Sequence, residues 1–142
     1  MKHITLNGRR IVEGYSKAEA LVSLKPISFL GDIDPKTGKV IERKHDLYGK
    51  CVKDKVLCFP HGHGSTVGSY VIYALAINKV APKAIVNEKA EPVIVVGAVI
   101  ANIPMIDQVD ISQIRTGDIV EVDAYTGVAR ILRKGGNLDI CI

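Results

Sequence analysis

Apolar and polar positions along this 142-residue chain change period several times. Val56-Leu57-Cys58-Phe59 is a short continuous apolar run closed by Pro60, the pattern of a strand buried on both faces. After His61-Gly62-His63-Gly64-Ser65 comes a stretch, Thr66 to Asn78, in which Val67, Val71, Ile72, Ala74, Leu75, Ala76 and Ile77 leave little polar face. That spacing predicts a helix buried on most sides, with Asn78 and Pro82 as stop signals. Gly68 costs such a helix stability unless something packs closely there. Ala84-Ile85-Val86 and Val93 to Ile100 read as two further buried strands, the second bent at Gly97. The run from Pro92 to Pro104 is too short to span a bilayer and reads as core strand. Ile111 to Ile114 reads as a single helical turn. Ile119 to Asp123, Ala124 to Gly127, and Val128 to Leu132 read as strand, turn and strand of a hairpin. Gly135-Gly136-Asn137 loosens the tail.

The first third of the chain is turn-rich. Asn7-Gly8, flanked by Lys2–Ile4 and Arg10–Val12, predicts a hairpin. Ser16-Lys17-Ala18-Glu19 has capping-box spacing, but the residues after it lean to strand and stop at Pro26, which disfavours a helix. Ile27-Ser28-Phe29-Leu30 reads as another strand. Gly31-Asp32-Ile33-Asp34-Pro35-Lys36-Thr37-Gly38 is turn chemistry, read first as a surface turn and second as a ligand-facing loop. Val40 to Lys55 is polar, with a turn at Gly49. Many strands around one central buried helix predict an α+β fold, a layered β/β/α domain, and a single domain over 1–142.

Composition narrows the function classes. Apolar residues make up 47% of the chain, which excludes disorder, and the scarcity of aromatics leaves a core of Val, Ile, Leu and Ala. The net charge is +4, but Lys and Arg are spread out, the tightest group being Arg43-Lys44, so a nucleic-acid partner is not expected. The residues Met1 to Thr5 lack the apolar stretch of a signal peptide, and no segment reads as a membrane span. A cytoplasmic protein with Cys51, Cys58 and Cys141 reduced is expected.

The chemistry is concentrated in Gly62 to Ser65. Strand, glycine turn and helix start together form a place where free amides and the helix dipole favour an anion. A phosphate loop needs Lys before the Ser/Thr, and Gly64 stands there. A nucleophile elbow fails because Gly64 directly precedes Ser65. The glycine spacing is one residue too long for a dinucleotide fingerprint. His61 and His63 are half a metal site at most, since His3, His45 and the cysteines show no ligand spacing, so no metal is expected on this chain. Ser65 has two readings: a helix cap, or a hydroxyl whose alkoxide form the surrounding amides stabilise so that it can act as a base. Gly62 and Gly64 would let a substrate approach the backbone closely.

The Gly31–Gly38 segment, followed by Phe59-Pro60-His61-Gly62-His63-Gly64-Ser65-Thr66-Val67-Gly68-Ser69-Tyr70, closely resembles the small subunit of the aconitase X family in its archaeal two-subunit form. The resemblance covers essentially the whole chain. It implies an aconitase-like swivelling β/β/α domain that works only with a large partner subunit. It implies a hydro-lyase that dehydrates (R)-5-phosphomevalonate to trans-anhydromevalonate 5-phosphate on the archaeal route to isoprenoids. Ser65 would remove the proton α to the carboxylate. An iron–sulfur cluster, held by the large subunit and not by this chain, would act on the leaving hydroxyl as a Lewis acid. Gly62, His63, Gly64 and Thr66 are the expected substrate-binding set for this small anion. In aconitases an Arg two positions after the serine binds a substrate carboxylate; here that position is Val67, so the anion must be held by other groups. The alternatives are a small subunit of a related dehydratase, such as one acting on 3-hydroxyproline, and a non-catalytic ligand-binding domain in which Ser65 only caps a helix.

Overall fold

The computed structural model describes residues 2–133; Cys141 and the expected loosening at Gly135-Gly136-Asn137 lie outside the described residues. The strands are β1 (Lys2–Asn7), β2 (Arg9–Val12), β3 (Tyr15–Val22), β4 (Val56–Phe59), β5 (Ala84–Asn87), β6 (Met105–Asp107), β7 (Ile119–Asp123) and β8 (Val128–Arg133). Three helical segments accompany them: a short irregular turn α1 (Phe29–Asp32), and two ten-residue helices, α2 (Gly68–Ile77) and α3 (Pro92–Ala101).

The strands line up as β1-β8-β7-β3-β4-β5-β6-β2. From β3 through β6 the pairing is parallel; residues 23–55 connect β3 to β4, α2 crosses from β4 to β5, and α3 from β5 to β6. The β1, β8, β7 and β3 strands pair antiparallel. The long strand β3 belongs to both sets, pairing with β7 through Tyr15–Glu19 and with β4 through Ala20–Val22. The result is two layers of strand and one of helix. Strand periodicity sorts side chains between two cores. Leu21, Leu57, Phe59, Ile85 and Met105 meet Ile72, Leu75, Ile94 and Ala98 beneath the helices. Their neighbours Ala20, Val56, Cys58, Val86 and Ile106 meet Val120, Val122, Ala129 and Ile131 between the strand layers. This double duty explains why every residue of β4 and β5 is buried.

The α+β, layered β/β/α expectation holds, as do β4, β5, the helical turn at Ile111–Gln113 and the β7–β8 hairpin. Residues 15–22 are strand throughout, so the capping-box spacing marks no helix start.

Three local readings are corrected. The run Val93 to Ile100 is helix, not strand. Pro92 stands at the first helical positions, the Glu91 carboxylate accepts from the Ile94 amide, and Asn102 closes the helix in a left-handed conformation (φ 57°). These end signals and the packing of α3 on α2 outweigh the strand propensity of Val and Ile. Asn7-Gly8 is no hairpin. β1 pairs with β8 and β2 with β6, so Gly8 is where one chain segment steps from one strand layer to the other. A Cβ there would lie 2.7 Å from Val109 Cγ2, so glycine is required for close approach rather than for a turn. Ile27 to Leu30 supplies one bridge, Ile27 to Gly62, and then turns. The Asp32 carboxylate accepts from the Ser28 amide (2.8 Å), and the Asp32 amide donates to Ser28 O (3.0 Å), which bends the chain away from any strand. Helix α2 stands as expected but begins at Gly68, and it buries one face only: Val71, Ile72 and Leu75 are inside, whereas Tyr70, Tyr73 and Ile77 are exposed.

Candidate active site

The loop Pro60–Val67 joins the C-terminal end of β4 to α2. In a parallel sheet this is the end at which connecting loops and helix N-termini converge. The loop is braced from two sides. On one side, the Ile27 amide donates to His61 O (3.3 Å) and the His63 amide to Ile27 O (3.1 Å). On the other, the Glu88 and Lys89 amides both donate to Pro60 O, and Asn87 Nδ2 donates to Phe59 O (2.9 Å).

Each sequence-predicted residue can now be located. Gly62 is buried under α3: a Cβ there would lie 2.7 Å from Ile94 Cδ1 and 2.9 Å from Glu91 Oε1. Its role is to let the loop lie flat on α3. Gly64 has φ +93° and sits against Ser28, whose hydroxyl an added Cβ would overlap. His63, Gly64, Ser65, Thr66 and Val67 are exposed. Ser65 Oγ accepts from the Val67 amide (3.1 Å), and Ser65 O accepts from the Gly68 amide (3.0 Å). The hydroxyl thus closes a tight turn just ahead of α2, while the N-cap position itself is Val67, which makes no side-chain cap. Thr66 O accepts from the buried Ser69 hydroxyl (3.1 Å), which ties the loop to the first turn of α2.

This arrangement presents one hydroxyl to solvent with an amide N–H already directed at its oxygen. Negative charge developing on that oxygen would be met by the amide and by the positive end of α2. Of the rest of the sequence set, Gly62 and Gly64 shape the loop, and His63 and Thr66 are exposed on it to either side of Ser65 in the chain.

The histidines do not form a ligand set. His61 Nδ1 lies 2.8 Å from Gly62 O; a carbonyl only accepts, so Nδ1 carries the proton. His45 is buried, its ring held between Pro26 O and the Leu47 amide. Among the described residues no three His, Cys, Asp or Glu side chains gather as metal ligands. Cys51 is exposed. Cys58 is fully buried, and desolvation first, then the charge of Asp118, push its thiol far above the usual range, so it is inert as a thiolate. No helix among the described residues is long and apolar enough to cross a membrane.

Sequence reasoning missed Ser28 and Glu91, which fill the space that a side chain at Gly64 or Gly62 would need. No local signal marks either one, because the contacts run from Ser28 to Gly64 and from Glu91 to Gly62. The Asp34 turn, read first as a surface turn and second as a ligand-facing loop, lies away from the Ser65 loop. Asn78 Nδ2 donates to Pro35 O (2.8 Å), which fixes that turn at the far end of α2, about 15 Å along the helix axis.

Residues 5–131 match the family model described as the aconitase X swivel domain. The phosphomevalonate dehydratase small subunit of Thermococcus sibiricus is 54% identical over 126 residues, 89% of this chain and 97% of that one. The protein of the same name from Methanosarcina acetivorans is 49% identical over 140 residues, 96% of this chain and 97% of the relative. A crystal structure of Thermococcus kodakaraensis aconitase X, holo-form, superposes with a TM-score of 0.90 at 51% identity, over 92% of this chain and 99% of that one. Matched in fold and along nearly its whole described length, the chain belongs to the aconitase X family as a swivel domain.

Proposed function

We propose that this chain is the small subunit of a phosphomevalonate dehydratase, that a large subunit completes its site, and that Ser65 is the base. The relatives that carry this name are about half identical over nearly their full length, which supports the same assignment here. The observation that carries the role of Ser65 is its hydroxyl, exposed on a braced loop and accepting the Val67 amide (3.1 Å) ahead of α2.

In this reading the substrate is (R)-5-phosphomevalonate. The Ser65 alkoxide takes the proton from the carbon α to the carboxylate, the C=C bond forms, and the hydroxyl on the neighbouring carbon leaves. The Val67 amide and the α2 dipole lower the cost of the alkoxide. Gly64 and the loop amides let the anionic substrate lie close to the backbone, and His63 and Thr66 line the approach. The described residues of this chain give an iron–sulfur cluster no ligand set; the cluster belongs, in this proposal, to the large subunit.

The test is Ser65→Ala in the reconstituted two-subunit enzyme. Removing a base that acts in the transition state should lower kcat by several orders of magnitude. Stability should fall by only about 1 kcal/mol, the worth of the lost turn hydrogen bond. Near-normal turnover would show that the hydroxyl only closes the turn.

A further inference from the structure

Helices α2 and α3 lie side by side on one face of the parallel strands, with Gly97 of α3 packed against Ile72 of α2. Their outward faces therefore form one surface. That surface carries Tyr70, Tyr73 and Ile77 from α2, and Val96, Val99 and Ile100 from α3. All are substantially exposed: Tyr70 is 67% accessible, Ile77 60% and Val99 59%. Neither helix contains a single Asp, Glu, Lys or Arg, in a chain where such residues make up 24%. A helix that faced water would carry a polar side. Both of these are apolar on the side they bury and on the side they expose.

The surface runs into the Ser65 loop. Val67, two residues after Ser65, is 45% accessible, and Leu30, two residues from the Ser28 that abuts Gly64, is 47% accessible. Eight apolar side chains, each exposing on the order of 100 Å², make roughly 800 Å². That is about one partner's share of a specific interface, and it exceeds the roughly 300–600 Å² of the largest patch on an ordinary monomer. At the C-terminal ends of the two helices the patch gives way to polar groups, Asp54, Lys79, Lys83 and Asn102. An apolar centre with a polar rim is the usual build of a protein–protein contact.

We infer that the α2–α3 face is the surface on which the large subunit docks. The inference rests on the two-subunit reading above. A chain that completes the site at Ser65 must come within reach of its hydroxyl, and from there the adjoining ground is Val67, Leu30 and Tyr70. A second copy of this chain is the wrong occupant. A second copy seated on the same face would cover the ground beside Ser65 and bar the large subunit from it.

The experiment uses the full chain and its large subunit. Ile77→Asp and Val99→Asp place a carboxylate on the apolar face toward the C-terminal ends of the two helices, away from Ser65. Lys17→Ala, at an exposed position of strand β3, is the control. Circular dichroism and urea unfolding check that each variant folds, and titration calorimetry measures its affinity for the large subunit. Both Asp variants should weaken binding by 100-fold or more, with turnover restored at high large-subunit concentration; the control should bind like wild type. Wild type that binds and turns over, with Asp variants of unchanged affinity, would overturn the docking face and leave the two-subunit reading intact. Wild type that neither binds nor turns over with the large subunit would overturn that reading, and the docking face with it. Sedimentation of the isolated chain covers the rival. A dimer that Val99→Asp dissociates, with large-subunit affinity unchanged, would assign the face to self-association and overturn the inference.

Discussion

Gly64→Ala probes the loop at its tightest point. Alanine at φ +93° costs about 1–2 kcal/mol for the left-handed backbone. Its Cβ would also overlap Ser28 Oγ, with Ser28 Cβ 3.1 Å away. The Ser28 hydroxyl can swing aside only by giving up its bond to Leu30 O (3.0 Å), worth about 1 kcal/mol. The single variant should therefore lose roughly 2–3 kcal/mol. Ser28→Ala alone loses the same hydrogen bond and should cost about 1 kcal/mol. In the double variant the bond to Leu30 O is lost once rather than counted twice, so its cost is that bond, the backbone term and a residual methyl contact. The double variant should be less destabilised than the sum of the singles by about 1 kcal/mol, well outside the additivity expected of independent sites. Urea unfolding of the four proteins closes the cycle. Strict additivity would show that a methyl at position 64 does not displace the Ser28 hydroxyl.

Two further outcomes concern titrating groups. Asp118 is buried between opposing influences: desolvation raises its carboxyl, while the Arg133 guanidinium (2.7 and 3.0 Å) and the Arg115 amide (2.8 Å) prevail and hold it below the ordinary value. A depressed folded value gives stabilisation that is present above about pH 4 and lost as pH falls through the folded value. The gap in unfolding free energy between wild type and Asp118→Asn should therefore be widest near pH 6–7 and narrow below pH 4; a gap constant with pH would refute the assignment. Cys58, in a Cys51→Ser, Cys141→Ser background, should resist an aromatic disulfide reagent at pH 8 until the protein unfolds, and rapid labelling of the native protein would contradict its burial.

What could be read from the sequence was what local patterns determine. Four consecutive buried residues before Pro60, the alternation on either side of Ala124–Gly127, and the apolar spacing after Thr66 each fix an element by periodicity alone. The run Pro92–Ala101 had no periodicity to read, because every position is apolar or small. Its end signals, Glu91-Pro92 and Asn102, were present in the sequence, but the strand propensity of Val and Ile pointed the other way. Asn7-Gly8 failed for a different reason: the same dipeptide serves a tight turn or a close approach, and only the partners of β1 and β2 distinguish them. At the site, the glycines and Ser65 were visible as a motif. Ser28 and Glu91 were not, since each reaches the loop through a contact between distant parts of the chain.

The step at Gly8 bears on how the chain acquires its structure. β1 and β2 stand at opposite ends of the strand order yet are consecutive in sequence. β1 pairs with β8, Lys2 opposite Arg133 and Asn7 opposite Val128, while β2 pairs with β6. The first strand therefore has no partner until residues 128–133 exist, and Gly8 cannot settle against Val109 and Gly127 until both flanking layers are formed. Pairings this distant in sequence make loop closure costly early and rewarding late, so folding is slow compared with a helical bundle of the same length. During synthesis the N-terminal strand must wait for the chain to return to it, so its pairing closes a circuit rather than extending an edge.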